Sequence, residues 1–279
     1  MKSKFDNLSK KCSELTTKSY STSFSFGIKM LSKKFHSPIY SIYGFVRFAD
    51  EIVDGFHGYN KSKILNRFEK NCFDSIEEGV SMNPILNSFQ NVVNKYEIDH
   101  ILIHQFIHSM KMDLEVNKIY DQKEYEKYIL GSAEVIGLMC LKVFVEGDKN
   151  LYMKLYPYAK SLGSAFQKIN FLRDIRADYK DLGRTYFPNI DLSNFTTSQK
   201  KEIESDIKKD FDKGYLGIKM LPEGSKLGVF IAYIYYLNLF NKIKSLDFKV
   251  ILEKRIRISN FKKIVLMIKA FVLNKFGAI

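Results

Sequence analysis

Two pairs of aspartates, each with three residues between its members, are the side chains of this sequence best suited to chemistry. Asp50 and Asp54 form the first pair, and Asp174 and Asp178 form the second. Residues four apart lie on one face of an α-helix, so each pair would present two carboxylates side by side. Two ionised carboxylates in a half-buried place repel each other, and a hard cation such as Mg²⁺ relieves that cost. Each pair therefore predicts a ligand set for a divalent cation.

The residues around the first pair add a phosphate-binding group and an apolar setting. In the segment SIYGFVRFADEIVDGF, helical geometry puts Tyr43 and Arg47 on the same face as the two aspartates. An arginine offers a planar fork of donors that matches phosphate oxygens. The apolar residues that flank this face are Ile39, Ile42, Val46, Ala49 and Val53. The segment predicts a half-buried helix that brings a cation and a phosphate together.

The second pair lies in the segment LGSAFQKINFLRDIRADYKDLGRTYFP, where amides accompany the carboxylates. Gln167 and Asn170 fall on the same helical face as the aspartates, and their side chains could ligate a cation or orient a ligand. Arg173 and Arg176 fall on other faces, and Gly183 is expected to end the helix.

Two such motifs together are far more specific than one. A single Asp-x-x-x-Asp arises by chance on many solvated helices. Two copies on apolar helices, facing each other in a bundle, would hold a cluster of Mg²⁺ ions that grips a diphosphate and helps it leave.

The elements that must position these motifs all read as helices. Apolar residues recur at three- and four-residue spacings, and capping boxes are expected at Asp121 and Thr196. Ser37 followed by Pro38 is expected to begin a helix. The pattern predicts roughly eight to ten helices. No linker or repeat is recognisable, so we expect one all-α domain over residues 1–279.

The formal net charge of +13 restricts the classes of partner. Such a charge attracts nucleic acid, an anionic membrane or phosphorylated substrates, and a lysine-rich solvated surface also produces it. No zinc-finger spacing, RNA-binding aromatic signature or helix-turn-helix is recognisable, so no nucleic-acid partner is expected. Four of the seven arginines lie in the two acidic segments, which favours phosphate handling there.

Cysteine and histidine spacing gives little support for another metal site. His100, His104 and His108 recur at four-residue steps, and histidines so spaced can chelate zinc, but a solvated polar face is the expectation. The cysteines have no CxxC pair, which argues against a disulfide framework and fits a reducing compartment. They are Cys12, Cys72 and Cys140.

Contact with a membrane is left open by the sequence. No apolar run of signal-peptide length and no uninterrupted apolar stretch of transmembrane length occurs, so a cytoplasmic location is expected. The basic amphipathic segment FKKIVLMIKAFVLNKF is either a packing helix or a peripheral contact with the inner face of an anionic membrane.

The sequence resembles the squalene and phytoene synthase family from about Tyr20 to about Phe271. The stretches that carry the resemblance are SYSTSFSFGIKML, IYSIYGFVRFADEIVD, YILGSAEVIG, AFQKINFLRDIRADYKDLGRTYFP and EKRIRIS. The second acidic motif with its Gly-Arg-x-Tyr-x-Pro tail is the most specific of them. The resemblance implies an all-α bundle of the isoprenoid synthase type with a central cavity. It also implies a cluster of roughly two or three Mg²⁺ ions, with Mn²⁺ as an alternative.

The resemblance also implies roles for individual residues. The catalytic group would be Asp50, Asp54, Asp174, Asp178, Tyr43, Arg47 and Tyr128. The metal ligands would be the same four aspartates with Asn170. The substrate-binding residues would be Ser21, Phe24, Arg47, Gln167, Asn170, Arg173, Arg184, Tyr186, Tyr236 and Arg255. Three positions depart from the family pattern: Thr22 stands for lysine, Glu134 for glycine and Ala177 for glutamate.

The activity implied is the head-to-head (1'-1) condensation of two prenyl diphosphates. Two geranylgeranyl diphosphates would give phytoene through a cyclopropyl-carbinyl diphosphate, as in carotenoid biosynthesis. The near alternative is squalene or dehydrosqualene from two farnesyl diphosphates, and squalene alone would need NADPH. A non-catalytic assembly factor of the same fold is a remoter alternative, because such relatives tend to lose the acidic motifs. A head-to-tail synthase or terpene cyclase would prefer Asp-Asp-x-x-Asp, which the segment DEIVD at 50–54 lacks.

Overall fold

The computed structural model describes residues 1–115, 118–188, 190 and 195–275, with the backbone alone for 180–182. This part of the chain forms thirteen α-helices and one π-helical turn, and its single β-bridge joins Ile119 to Thr185. The all-α prediction is confirmed. The count exceeds the expected eight to ten because short helices such as Thr22–Lys29 and Phe248–Glu253 were not separated in the sequence pattern.

The helices follow one another with short connections. They are α1 (Lys2–Tyr20), α2 (Thr22–Lys29), α3 (Lys33–Asp54), α4 (Lys61–Glu78), α5 (Pro84–Tyr96), α6 (His100–Met112), α7 (Gln122–Ile129), α8 (Val135–Val145), α9 (Lys149–Leu182), α10 (Thr197–Met220), α11 (Glu223–Lys244), α12 (Phe248–Glu253) and α13 (Asn260–Lys275). The π-helical turn (Leu130–Glu134) joins α7 to α8.

Local capping signals set several of these boundaries. Asp121 and Thr196 both form the capping boxes predicted for them, at the starts of α7 and α10. The prediction that a helix begins at Ser37 and Pro38 is wrong, because α3 already begins at Lys33 and holds Pro38 inside it. The amide of Ser32, just before α3, donates to the Gly224 carbonyl at 2.7 Å. This tertiary contact fixes the earlier start.

Five helices close a ring around the centre of the molecule. α3 packs against α2 and α8, α8 against α9, α9 against α11, and α11 back against α2. Cys140 of α8 retains accessible surface, although burial raises its pKa to about 12. Other partly accessible apolar side chains of the ring helices are Val46, Ile136, Leu162, Phe166 and Tyr236.

The π-helical turn between α7 and α8 approaches α6 and α9 closely. A Cβ atom added to Gly131 would lie 2.4 Å from the Gln105 carbonyl oxygen of α6. One added to Gly163 of α9 would lie 3.0 Å from the Ala133 carbonyl oxygen. Only glycine allows these backbones to touch, and π-helical turns often re-aim nearby side chains at functional sites.

The continuous helical stretch from Gln122 to Val145 is long and apolar enough to cross a membrane, judged by length and composition. Its π turn and C-terminal half pack against α3, α6 and α9. Val135, Leu138 and Met139 are fully buried there. Its position in the core accounts for its apolar composition.

Candidate active site

The last two turns of α3 carry the first acidic pair in a half-buried, strongly charged setting. The Arg47 guanidinium donates to the carboxylates of Asp50 and Glu51, and its central carbon lies 4.2 Å from the centre of the Tyr20 ring. Burial, reinforced by the charge of Asp54, raises the pKa of Asp50 to about 6. Burial also raises the pKa of Asp54. The doubly ionised pair is therefore disfavoured in the folded protein.

The last turns of α9 carry the second acidic pair, and the helix ends at Gly183 as predicted, with φ of 63°. Asp174 accepts from Arg173 (Nη2 to Oδ2, 2.6 Å) and from Arg255 (Nε to Oδ1, 2.8 Å). The expectation that Arg173 lies away from the pair is wrong, because its long side chain folds back onto Asp174. Burial, followed by the charge of Asp174, raises the pKa of Asp178 to about 7.

The charge of the first acidic pair reaches the second pair across the bundle. The charge of Asp54 helps to raise the pKa of Asp178, and the positive charge of Arg184 opposes the rise in pKa at both carboxyl groups. Such effects need short separations, so the pairs belong to one site. Among the described residues, no three His, Cys, Asp or Glu side chains converge as metal ligands do. Arginines contact Asp50 and Asp174 instead. The charges of the two pairs therefore interact, but their carboxylate oxygens do not converge on one point in the described part of the chain.

The amides predicted beside the second pair link α9 to α11. Asn170 donates from Nδ2 to the Gln167 side-chain oxygen at 3.2 Å, and its own oxygen accepts from the Tyr236 hydroxyl at 3.2 Å. The Tyr236 ring stacks on Phe166 with centroids 4.1 Å apart. These four side chains line the ring of helices on the side of the second acidic pair.

The start of α2 places an aromatic pair on the opposite side. Ser21 accepts a hydrogen bond from the amide of Phe24 at 3.2 Å and so caps α2. The Phe24 ring lies 5.1 Å from the ring of Tyr43 on α3. Burial raises the pKa of Tyr43, so its phenol stays protonated.

A buried aspartate that was not singled out in the sequence lies between these groups. Asp113 directly follows α6 and accepts from the Tyr128 hydroxyl at 2.7 Å and from Arg184 Nη1 at 3.4 Å. The Tyr186 hydroxyl lies 3.5 Å from the same carboxylate. Burial raises the pKa of Asp113 to about 7. Its only sequence signal is an acidic residue at the end of the apolar segment ILIHQFIHSMKMDL.

The three departures from the family pattern lie apart from this charge network. Thr22 and Ala177 are exposed. Glu134 pairs with Lys160 of α9 at 3.1 Å, and burial raises its pKa. None of these positions contacts an aspartate of the two pairs among the described hydrogen bonds.

The histidines of α6 lie on the outside of the bundle, against α4. The His104 ring stacks on Phe73 with centroids 4.1 Å apart, and its Nδ1 is 3.7 Å from a Glu69 oxygen. His100 lies edge-on to the same Phe73 ring. Aromatic packing is therefore the role that the structure gives to these two side chains.

The chemistry of the site fits a cation and a diphosphate. The carboxyl groups of Asp50 and Asp178 have a raised pKa, which a nearby cation would lower. The Nε atoms of Arg47 and Arg184 are buried without an acceptor in the described part of the chain. A buried donor without a partner is costly, and phosphate oxygens would supply acceptors.

The sequence of this chain is similar to the sequences of known proteins. A model of the squalene/phytoene synthase family matches residues 17–262. The 4,4'-diapophytoene synthase of Staphylococcus haemolyticus is 24% identical over 266 residues, which cover 88% of this chain and 90% of that protein. Phytoene synthase 1 of Solanum lycopersicum is 25% identical, with 91% of this chain covering 65% of that protein.

Solved structures agree on the fold. The crystal structure of a dehydrosqualene synthase superposes with a TM-score of 0.80 at 21% identity, covering 97% of this chain and 98% of that one. The squalene synthase HpnC from Alicyclobacillus acidocaldarius gives a TM-score of 0.74 at 19% identity, with coverages of 85% and 93%. The chain belongs to the squalene/phytoene synthase family, whose members are prenyltransferases that join prenyl diphosphates head to head.

Proposed function

We propose that this chain, acting as a single domain, condenses two geranylgeranyl diphosphates head to head to give phytoene. The observation that supports catalysis is that Asp54 and Asp178, on different helices, each belong to an intact acidic pair, and that the charge of Asp54 acts on Asp178. A non-catalytic role would not require two pairs of carboxyl groups whose ionisation is unfavourable unless positive charge is added.

Different residues would act on the diphosphate end and on the prenyl end of the substrate. Arg47 and Arg184 offer buried guanidinium donors to the diphosphate. A cluster of divalent cations, held at the two pairs by the four aspartates with Asn170, would supply Lewis-acid neutralisation of the departing diphosphate. The Phe24 ring lies against Tyr43, and the Tyr236 ring stacks on Phe166. These aromatic faces would stabilise the allylic cations, and an apolar lining would exclude water.

The length of the prenyl chains is the finer part of the proposal. Both phytoene synthases and a diapophytoene synthase are similar to this chain at about the same identity, 25% and 24%. The direct test is incubation with C20 and with C15 diphosphates, with Mg²⁺ and with or without NADPH, followed by identification of the hydrocarbon. We expect phytoene from the C20 substrate, and no product when EDTA replaces Mg²⁺.

The outcomes of this experiment separate the alternatives. A C30 hydrocarbon formed only from the C15 substrate would replace phytoene by dehydrosqualene, or by squalene if NADPH is needed. Failure with both substrates in the presence of Mg²⁺ and of Mn²⁺ would contradict the proposed condensation.

We also propose that α13 holds the enzyme on the inner face of an anionic membrane. One stripe of α13 is apolar and exposed, with Phe261 at 78%, Ile268 at 56% and Phe271 at 55% of full exposure. Residues 254–275 carry seven basic side chains and no acidic one. The opposite face packs on α11 through Leu266 and Ala270. An exposed apolar stripe flanked by lysines suits the boundary between lipid head groups and acyl chains.

Vesicle sedimentation tests the membrane contact. We expect binding to vesicles that contain an anionic phospholipid, and weaker binding when Lys262, Lys263 and Lys269 are changed to glutamate. The matched control changes the exposed Lys4, Lys10 and Lys11 of α1, which alters the net charge equally. Equal binding by both triple variants and the wild type would overturn the proposed surface.

A further inference from the structure

Asp113 is the central acceptor of a buried polar cluster at the base of the site. Its side chain accepts from the Tyr128 hydroxyl at 2.7 Å and from Arg184 Nη1 at 3.4 Å, and Arg184 Nη2 donates to the Asp113 backbone carbonyl. Asp113 and Arg184 are only 9% and 6% exposed. Both terminal guanidinium nitrogens of Arg184 therefore contact one residue, Asp113, and neither donates to a carboxylate of the two acidic pairs in the described part of the chain.

The segment that carries Arg184 is fixed from both sides. Its backbone amide donates to the Asp178 carbonyl at 2.8 Å, so it directly follows the second acidic pair. The next residue, Thr185, exchanges two backbone hydrogen bonds with the segment 118–120, each 3.2 Å long. The backbone position of Arg184 is thus set independently of Asp113. The carboxylate of Asp113 is the counter-ion that the Arg184 guanidinium contacts, and the Asp113 backbone carbonyl adds a second acceptor.

The direction of that guanidinium matters because its charge is felt by both acidic pairs. The positive charge of Arg184 acts on Asp54 and on Asp178. Neither of these two carboxylates has an ion-pair partner in the described part of the chain, whereas Asp50 and Asp174 do. Without a counter-ion of its own, a buried guanidinium is drawn to the nearest carboxylates. Arg184 would then take the place of a cation.

We propose that Asp113 is a positioning residue that holds Arg184 back from Asp54 and Asp178 and so keeps these carboxylates available to a divalent cation. The inference rests on the proposed function, since it concerns the same cation site. Asp113 acts through Arg184, and this role requires no contact between Asp113 and the substrate.

Titration of the purified apo-protein with Mn²⁺, followed by electron paramagnetic resonance, tests this without turnover. We expect Asp113→Asn to weaken Mn²⁺ binding by roughly tenfold, the scale of one close charge interaction. Arg184→Gln should bind Mn²⁺ at least as tightly as the wild type, and the double variant should recover most of the lost affinity. The matched control is Glu115→Gln, which removes a nearby exposed carboxylate.

Each outcome decides for or against the role of Asp113. A purely structural role predicts that the double variant is no better than Asp113→Asn, which would overturn the inference, as would unchanged binding by Asp113→Asn. If Asp113→Asn does not fold by circular dichroism, Arg184→Gln still decides, because weaker Mn²⁺ binding by that variant contradicts the inference. A wild type that binds no Mn²⁺, even with inorganic pyrophosphate present, would overturn the proposed function itself.

Discussion

Two charge clusters to which α9 contributes differ in whether each charged group has a partner of opposite charge. In the first, Lys168 donates to Asp206 and, at 2.6 Å, to Asp210 of α10, and Ser164 adds a hydrogen bond of 3.0 Å to Asp210. We call these four residues the balanced cluster. In the second, which the two acidic pairs form, Asp54 and Asp178 have no ion-pair partner in the described part of the chain, and the pKa of Asp178 rises to about 7.

The contrast indicates that α9 carries one cluster that stabilises the fold and another that serves function. The balanced cluster joins α9 to α10, and its buried ammonium group donates to two carboxylates. The acidic pairs are costly in the folded chain and become favourable only when positive charge is added. We therefore expect substitutions in the balanced cluster to change stability, and substitutions in the acidic pairs to change activity.

The largest effect is expected for Asp174→Ala. Loss of a carboxylate that we propose as a cation ligand should lower turnover by more than about 100-fold, because charge stabilisation at the leaving group would be removed. The matched control is Asp206→Ala, which removes an aspartate of the balanced cluster and should leave turnover nearly unchanged. Product formation with Mg²⁺ and thermal melting followed by circular dichroism measure both quantities.

The comparison would fail if the two variants behaved alike. Wild-type turnover by Asp174→Ala would show that the second pair is not part of the catalytic site. A loss of turnover in Asp206→Ala, without loss of stability, would place the balanced cluster in the catalytic machinery as well.

The sequence predicted the acidic pairs because their geometry is local. Residues four apart share a helix face whatever the fold, so the pairs at 50 and 54 and at 174 and 178 could be recognised directly. The resemblance to the family supplied distant partners such as Tyr236. Asp113 was missed because its partners Tyr128 and Arg184 lie 15 and 71 residues away, and no spacing links them.

Tertiary contacts also changed local expectations. The start of α3 was misplaced because a hydrogen bond from Ser32 to Gly224 cannot be anticipated from the local pattern. Arg173 was expected on another face, but a long side chain can reach its neighbour around the helix.

An intermediate effect, on stability, is expected for Lys168→Met. The ammonium group is buried between two aspartates, and its loss leaves Asp210 half-buried without a cation. The free energy of unfolding should fall by about 1 to 3 kcal/mol. Lys208→Met is the control, since its exposed pair with Asp212 should contribute at most about 0.5 kcal/mol. Urea denaturation measures the difference, and a large drop in turnover at unchanged stability would contradict the balanced role.

The smallest effect is expected for Asp178→Asn, as a gain in stability of the metal-free protein. The folded pKa of Asp178, about 7, lies above its unfolded value, so ionisation costs folding free energy. The cost is absent well below pH 4, where both states are protonated, grows as pH rises through the unfolded pKa, and is complete above pH 7.

The variant lacks this cost, so its advantage should follow the same pH range. In EDTA, the melting temperature of Asp178→Asn should exceed that of the wild type by about 2 to 4 °C at pH 8 and by less at pH 5. The exposed Asp212→Asn should show no such trend. A difference in melting temperature that does not change with pH would mean that burial and neighbouring charges do not raise the pKa of Asp178. With Mg²⁺ and pyrophosphate the order should reverse, because the bound cation then stabilises the carboxylate that the apo-protein disfavours.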